Sequence, residues 1–305
     1  MAASSLHISI SAEKVFSLGG LNVSNSMLTS VIVSGLLIMF AILVNRSLQK
    51  TDRPSGLQNF AEWLVESLQG LVMSVTGSAE KSKIFFPWFA TFLLFILFNN
   101  WLGLFPGVGT IGFTEQADET HASLTPSSVT VFSPEAYAAT LDIENPSTEP
   151  TNTNPEETEA HAAEEEVGGQ EAVFVPYLRA GTADLNTTLA LAIISVSMTQ
   201  VFGFQFLRLS YFTKFINFAS PLGFFIGALE LVLEFAKIIS FAFRLFGNIF
   251  AGEVLLAVIY FLVPLIVPMP FLGLEIIVGV IQALVFAMLS LVFFNMATSG
   301  HHEEQ

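Results

Sequence analysis

Residues 221–263 read PLGFFIGALE LVLEFAKIIS FAFRLFGNIF AGEVLLAVIY FLV, and no residue inside this run stops a helix before Pro264. Ser220-Pro221 is a start signal, a capping serine followed by a proline in the first turn. About 42 residues at 1.5 Å each make a rod of roughly 60 Å. The hydrocarbon core of a bilayer is only about 30 Å thick. Such a rod must kink or lean by about 60°, where ordinary spans lean by about 20°. A helix so inclined suits a surface curved around something better than an upright bundle.

Its charges are not scattered. At about 100° per residue, with Glu230 set to zero, Glu234 falls near +40°, Lys237 near −20°, Arg244 near −40° and Asn248 near zero. Five polar side chains therefore share a stripe about 80° wide on an otherwise apolar rod. An ionisable group at such depth costs about 3 kcal/mol on insertion scales, so it normally faces protein or a water-filled cavity. For Glu230, Glu234 and Lys237 a structural ion pair is the lesser alternative to facing a partner or a water-filled path. Arg244, with long apolar flanks on both sides, cannot easily reach an interface.

Glu253 lies about 140° from the stripe and needs another partner. The prolines Pro264, Pro268 and Pro270 divide the tract, because proline cannot continue a helix interior. Folded there as an antiparallel hairpin, Arg244 meets Gln282 and Glu253 meets Glu275 in one register. Glu275 and Gln282 are seven apart and share a face. Two carboxyls close together in low dielectric do not both ionise, so one should hold a proton. That is the chemistry of a proton relay.

Working outward, three more runs have the roughly 20 apolar residues a span requires: Ser26–Val44, Phe85–Phe105 and Leu185–Leu207. With the two arms of the last tract they make about five membrane helices. The fold class is an all-α integral membrane protein. Between Pro54 and Thr76, Leu57, Phe60, Ala61, Leu64, Leu68 and Leu71 recur at helical spacing. Glu62, Glu66 and Gln69 fall elsewhere on the wheel. This reads as an amphipathic helix along the cytoplasmic face, or equally as one packed on a soluble partner.

Composition agrees with this class. Of 305 residues, 52% are hydrophobic and 12% charged, about half the usual charged share. The net charge of −15 is concentrated rather than general. About fifteen acids and one base, Arg179, lie between Glu115 and Asp184, a solvated kind of segment. Thr114–Gln170 has too few large apolar residues to offset chain entropy, so most of it should be disordered. A nucleic-acid partner is excluded on charge. There is no cysteine, and the five histidines are too scattered for a metal cluster. No cofactor or metal site is expected.

Lysine and arginine orient the spans. Arg46, Lys50, Arg53, Lys81 and Lys83 follow the first span, and Arg208 and Lys214 follow the third. Both segments are therefore cytoplasmic, as is the carboxyl terminus, and the amino terminus and acidic loop are external. The start lacks a basic, cleavable leader, so the first apolar run reads as a retained span. The expected organisation is an external segment 1–25, two spans with the amphipathic helix over 26–113 and an acidic loop 114–184. A third span with its connection follows over 185–219, then the charged hairpin with a short tail over 220–305.

The run Phe243-Arg244-Leu245-Phe246-Gly247-Asn248-Ile249-Phe250-Ala251-Gly252-Glu253 resembles the signature of subunit a of F-type ATP synthases. The likeness extends to Pro54-Ser55-Gly56-Leu57-Gln58-Asn59 and Phe98-Asn99-Asn100-Trp101-Leu102-Gly103-Leu104-Phe105-Pro106. It also takes in Ala183-Asp184-Leu185-Asn186 and Gln282-Ala283-Leu284-Val285-Phe286. It implies a steeply tilted hairpin packed on a ring of c subunits, with Arg244 facing the ring carboxylates and separating two half-channels. Asn248, Glu253, Glu275 and Gln282 would line the external half-channel. Glu230 would belong to the cytoplasmic one, with Glu234 nearby, and Lys237 is grouped with these as part of the proton path. Some members carry His at the Glu275 position and others Glu. The acidic loop is longer than the family pattern leads one to expect.

The resemblance further implies proton translocation coupled to ring rotation and ATP synthesis. The partners would be the c-ring, peripheral-stalk b subunits, membrane lipids and the whole synthase. No phosphate-binding loop of the Gly-x4-Gly-Lys-Ser/Thr kind occurs, so nucleotide chemistry falls to other subunits and this chain is a channel component, not an enzyme. A bacterial plasma membrane (the cell inner membrane) is the expected location. A stand-alone transporter could use the same charges, but such proteins commonly show internal repeats and none is seen here. A purely structural scaffold leaves Arg244 and Glu253 without a reason.

Overall fold

A computed structural model describes residues 12–18, 21–48, 56–105, 108, 111–116, 172–208, 211, 221–263 and 266–299. The chain divides into two units, Met1–Phe113 with Val175–Gln305, and Thr114–Phe174. Of the second, only residues 114–116 and 172–174 are described, and they lie in strands. The expected disorder of the acidic loop, the Ser220 cap and the Pro264 break fall outside the described residues.

The elements are β1 (Lys14–Leu18), β2 (Leu21–Ser24), α1 (Asn25–Ser47), α2 (Gly56–Thr76), α3 (Ala79–Gly103), β3 (Gly112–Gln116), β4 (Ala172–Pro176), a 3₁₀ turn (Gly181–Ala183), α4 (Leu185–Leu207), α5 (Pro221–Leu262) and α6 (Pro268–Thr298). Five of these helices, α1, α3, α4, α5 and α6, are long and apolar enough to cross a membrane. The protein is an all-α integral membrane protein, and among the described residues the strands pair as two small ribbons, β1 with β2 and β3 with β4.

Local chemistry sets the ends. Ser24 caps α1 by accepting from the Met27 amide at 3.3 Å, and Asp184 caps α4 by accepting from the Asn186 amide at 3.1 Å. Pro268 occupies the first turn of α6, where its missing N–H costs nothing. Helix α5 runs for 42 residues, longer than an upright crossing of the bilayer core requires.

The core lies where α3, α4, α5 and α6 meet. On α6 the buried residues Gln282, Ala283, Phe286, Ala287, Ser290, Leu291 and Phe294 recur at helical spacing and mark one inward face. Phe85, Phe202 and Phe294 pack with ring centroids 5.0 to 5.7 Å apart, and Phe241 and Phe286 with centroids 5.1 Å apart. Ser195 and Ser290 join α4 to α6 by a 2.7 Å hydrogen bond. At one end of the bundle Lys81 donates to the Thr298 carbonyl at 3.4 Å and stands 6.0 Å from the Phe206 ring. The start of α3 and the ends of α4 and α6 therefore gather on one side.

Helix α2 packs Ala61, Leu68 and Val72 on the bundle, while Leu57, Phe60 and Leu71 of its expected apolar face are exposed within this chain. The packed strip is narrower than the apolar arc, because only residues directly beneath the neighbouring helices lose contact with the surroundings. The last part of the segment assigned to the acidic loop, beyond the stretch 114–170 expected to be disordered, is ordered. Residues 172–184 form β4, the 3₁₀ turn and the α4 cap, with Val175, Arg179, Thr182 and Ala183 buried.

Candidate functional site

The expected register between α5 and α6 is present at Arg244. Gln282 Nε2 donates to the Arg244 carbonyl at 2.8 Å, and Asn248 Nδ2 donates to Gln282 Oε1 at 3.2 Å. Gln282 is buried, whereas Arg244 and Asn248 are exposed on the outer surface of α5. Within about two turns of Arg244 the exposed positions on its own side of α5 include the small residues Ala236, Ser240, Gly247 and Ala251, while the exposed large side chains Ile239 and Phe243 lie farther round the helix. A Cβ placed on Gly247 would meet nothing within 4 Å.

Glu253 and Glu275 line one cleft of about 490 Å³, together with Asn100, Arg179, Leu256 and Tyr260. They are not partnered as the sequence led us to expect. Glu253 turns to Arg179, whose Nε lies 2.9 Å from Oε1 and 3.1 Å from Oε2, with a terminal nitrogen 2.9 Å from Oε2. Glu275 is buried and lies against Gly252, where any side chain would strike its carboxyl. The physical reason is competition: a guanidinium matches a carboxylate at two points, and a second carboxylate repels it.

The polar stripe is divided by the fold. Glu234 is buried and bonds Lys237 at 2.8 Å, one turn along, and Lys237 Nζ stands 4.8 Å from the Phe293 ring. Glu234 Oε2 is buried with no hydrogen-bond partner among the described residues. Glu230 is half-buried in the same region. Tyr211, just beyond α4, donates to Gln200 Oε1 at 2.8 Å. Burial, and after it the charges of Glu234 and Glu230, push its phenol from 10.0 up to about 12. These residues and Arg244 therefore face different surroundings, although the helical wheel puts them on one stripe.

Sequence reasoning missed Arg179, Asn99, Asn100 and Thr182. Asn100 Nδ2 donates to the Gly279 carbonyl at 3.2 Å and its Oδ1 accepts from Thr182 Oγ1. Asn99 Oδ1 accepts from Ser30 Oγ at 3.2 Å. These amides tie α3 to α1, to α6 and to the 3₁₀ turn beside the cleft. The available signal was small: Arg179 is the one base in an acidic stretch, and two adjacent asparagines end an apolar span.

A bundle of membrane helices with polar and charged side chains set along its longest member defines a multi-spanning integral membrane protein with ionisable groups in its longest helix. Residues 27–295 match the ATP synthase A chain family, and the chain belongs to that family. It is 29% identical over 276 residues to "ATP synthase subunit a, chloroplastic" of Stigeoclonium helveticum, an alignment covering 90% of this chain and 85% of that protein. As a member of the family it is a channel subunit with a role in proton translocation in the membrane sector of the ATP synthase.

Proposed function

We propose that the chain conducts protons through two offset half-channels beside a rotating ring of c subunits and so couples the proton gradient to ATP synthesis. A ring carboxylate crosses lipid only when protonated, because a bare charge there is costly. Beside Arg244 it can ionise, since an adjacent cation stabilises the charged form. A proton entering by the cleft of Glu253 and Glu275, with Asn248 and Gln282 along the way, neutralises one ring carboxylate, which then rotates into lipid. After nearly a full turn it releases the proton toward Glu230, Glu234 and Lys237. Arg244 blocks direct leakage between the two paths. The membrane potential supplies about 2.3 kcal/mol per charge per 100 mV, so several protons serve each ATP.

The observation that carries this reading is the exposure of Arg244 on a face of α5 lined by small residues. A permanent cation in the apolar tract needs a partner of opposite charge, and small neighbours let another helix come close. Lys81, Phe206 and Thr298 meeting at one end supports placing that end in the cytoplasm, with the acidic loop on the other side. The c-ring, the b subunits of the stalk and membrane lipids are the partners in this reading, and a bacterial plasma membrane is its location. Arg244→Ala in reconstituted vesicles tests it: ATP synthesis and ATP-driven proton pumping should both vanish. Coupled pumping retained by an assembled Arg244→Ala complex would defeat it.

A further inference from the structure

We infer that Arg179 is a positioning residue for the outer proton path, holding the Glu253 carboxylate by a two-point grip in the cleft it shares with Glu275. This rests on the function proposed above and adds a residue to it. The Arg179 side chain is 8% exposed and that of Glu253 40% exposed. The cation is thus almost wholly withdrawn from solvent, and the carboxylate stays open to the cleft. A guanidinium so withdrawn is tolerable only with its charge matched. Its planar fork fixes a carboxylate in direction as well as distance.

A positioning role requires the backbone around Arg179 to be fixed, and it is fixed on both sides. Ala180 approaches α3 so closely that a Cβ on Gly103 would collide with it. Gly181 does the same against Asn99 and Ser30. Thr182 donates to Asn100, and the Tyr177 amide donates to the Ile111 carbonyl at 3.0 Å. The Phe250 ring, one turn before Glu253, lies 6.0 Å from the guanidinium carbon. An arginine from outside the spans is thereby presented to the helix bearing Arg244, about 13 Å along its axis. With both Glu253 oxygens gripped, a proton in the cleft passes between a pinned carboxylate and Glu275, not between two carboxyls free to bond each other.

The test uses whole synthase complexes reconstituted in lipid vesicles, with ATP synthesis measured at a fixed imposed proton gradient and normalised to assembled complex. Arg179→Gln should lower the rate by about tenfold or more, and Arg179→Lys, which keeps the charge but not the planar fork, should recover only a minor part of it. The swap Arg179→Glu/Glu253→Arg, which keeps a carboxylate and a cation at the cleft, should exceed both of its single variants. Wild-type rates in assembled Arg179→Gln complexes overturn the inference, as does a swap no better than its singles. If Arg179→Gln does not assemble, the yield of assembled swap complex against its singles decides the matter in the same way. Arg244→Ala is run alongside. Coupled synthesis retained there sinks the reading of the whole site, whereas its loss there with Arg179→Gln unchanged sinks this inference alone.

Discussion

Gln282 of α6 donates its side-chain amide to the main-chain carbonyl of Arg244 on α5 at 2.8 Å, leaving the guanidinium uninvolved in that bond. The bond fixes the height of the helix carrying Arg244 without spending its charge. Replacing Gln282 by Leu should remove this tie and the one to Asn248. One hydrogen bond contributes about 1 kcal/mol net, so the complex should still assemble. ATP-driven proton pumping, followed by fluorescence quenching in vesicles, should nevertheless slow several-fold. Normal pumping would show that this contact serves packing alone.

Gly252 makes room for Glu275. Gly252→Ala places a methyl group against that carboxyl, the movable end of a side chain that borders the cleft, so the carboxyl should be turned aside at a small cost in stability. Pumping should fall with it. Adding Glu275→Asp, one methylene shorter, should recover thermal stability if the clash is the cause, as read from the unfolding midpoint in detergent.

Gly247 makes the opposite case. Its Cβ position is open within this chain, so Gly247→Leu should leave the isolated subunit as stable as before. It should even gain slightly, because glycine costs about 1 kcal/mol in a helix interior. In the assembled synthase the same leucine should obstruct the partner facing Arg244 and suppress coupled pumping. An unimpaired Gly247→Leu synthase would mean that this face is not the rotor contact.

Tyr211 supplies a pH dependence. Its phenol ionises at 10.0 in an unfolded chain and at about 12 here. Its contribution to stability is full below pH 10 and is lost as the pH rises toward 12, because the unfolded chain alone sheds the proton there. The unfolding midpoint should drop less between pH 9.5 and 12 in Tyr211→Phe than in the parent. Parallel curves would remove Tyr211 from the account.

Much of the architecture was legible from the order of residues. Apolar runs of span length, the last tract divided by the prolines between 264 and 270, mark five helices, because bilayer thickness and backbone hydrogen bonding leave a hydrophobic segment little alternative. The hairpin register was legible too, since antiparallel arms joined by a short turn pair by arithmetic. That is why Gln282 was expected opposite Arg244 and is found there.

What the order of residues could not decide is which side chain meets which across the bundle. Glu253 and Glu275 share a cleft, yet Glu253 bonds an arginine 74 positions earlier, in a stretch whose composition reads as solvated. No local period encodes that choice. It depends on Gly103, Gly181 and Asn100 drawing the segment onto α3. Likewise, Glu234 and Arg244 share a stripe on the wheel, but one is buried and the other exposed. Angle around one helix is a local property, whereas exposure depends on where α4 and α6 lie, and only the packed chain settles that.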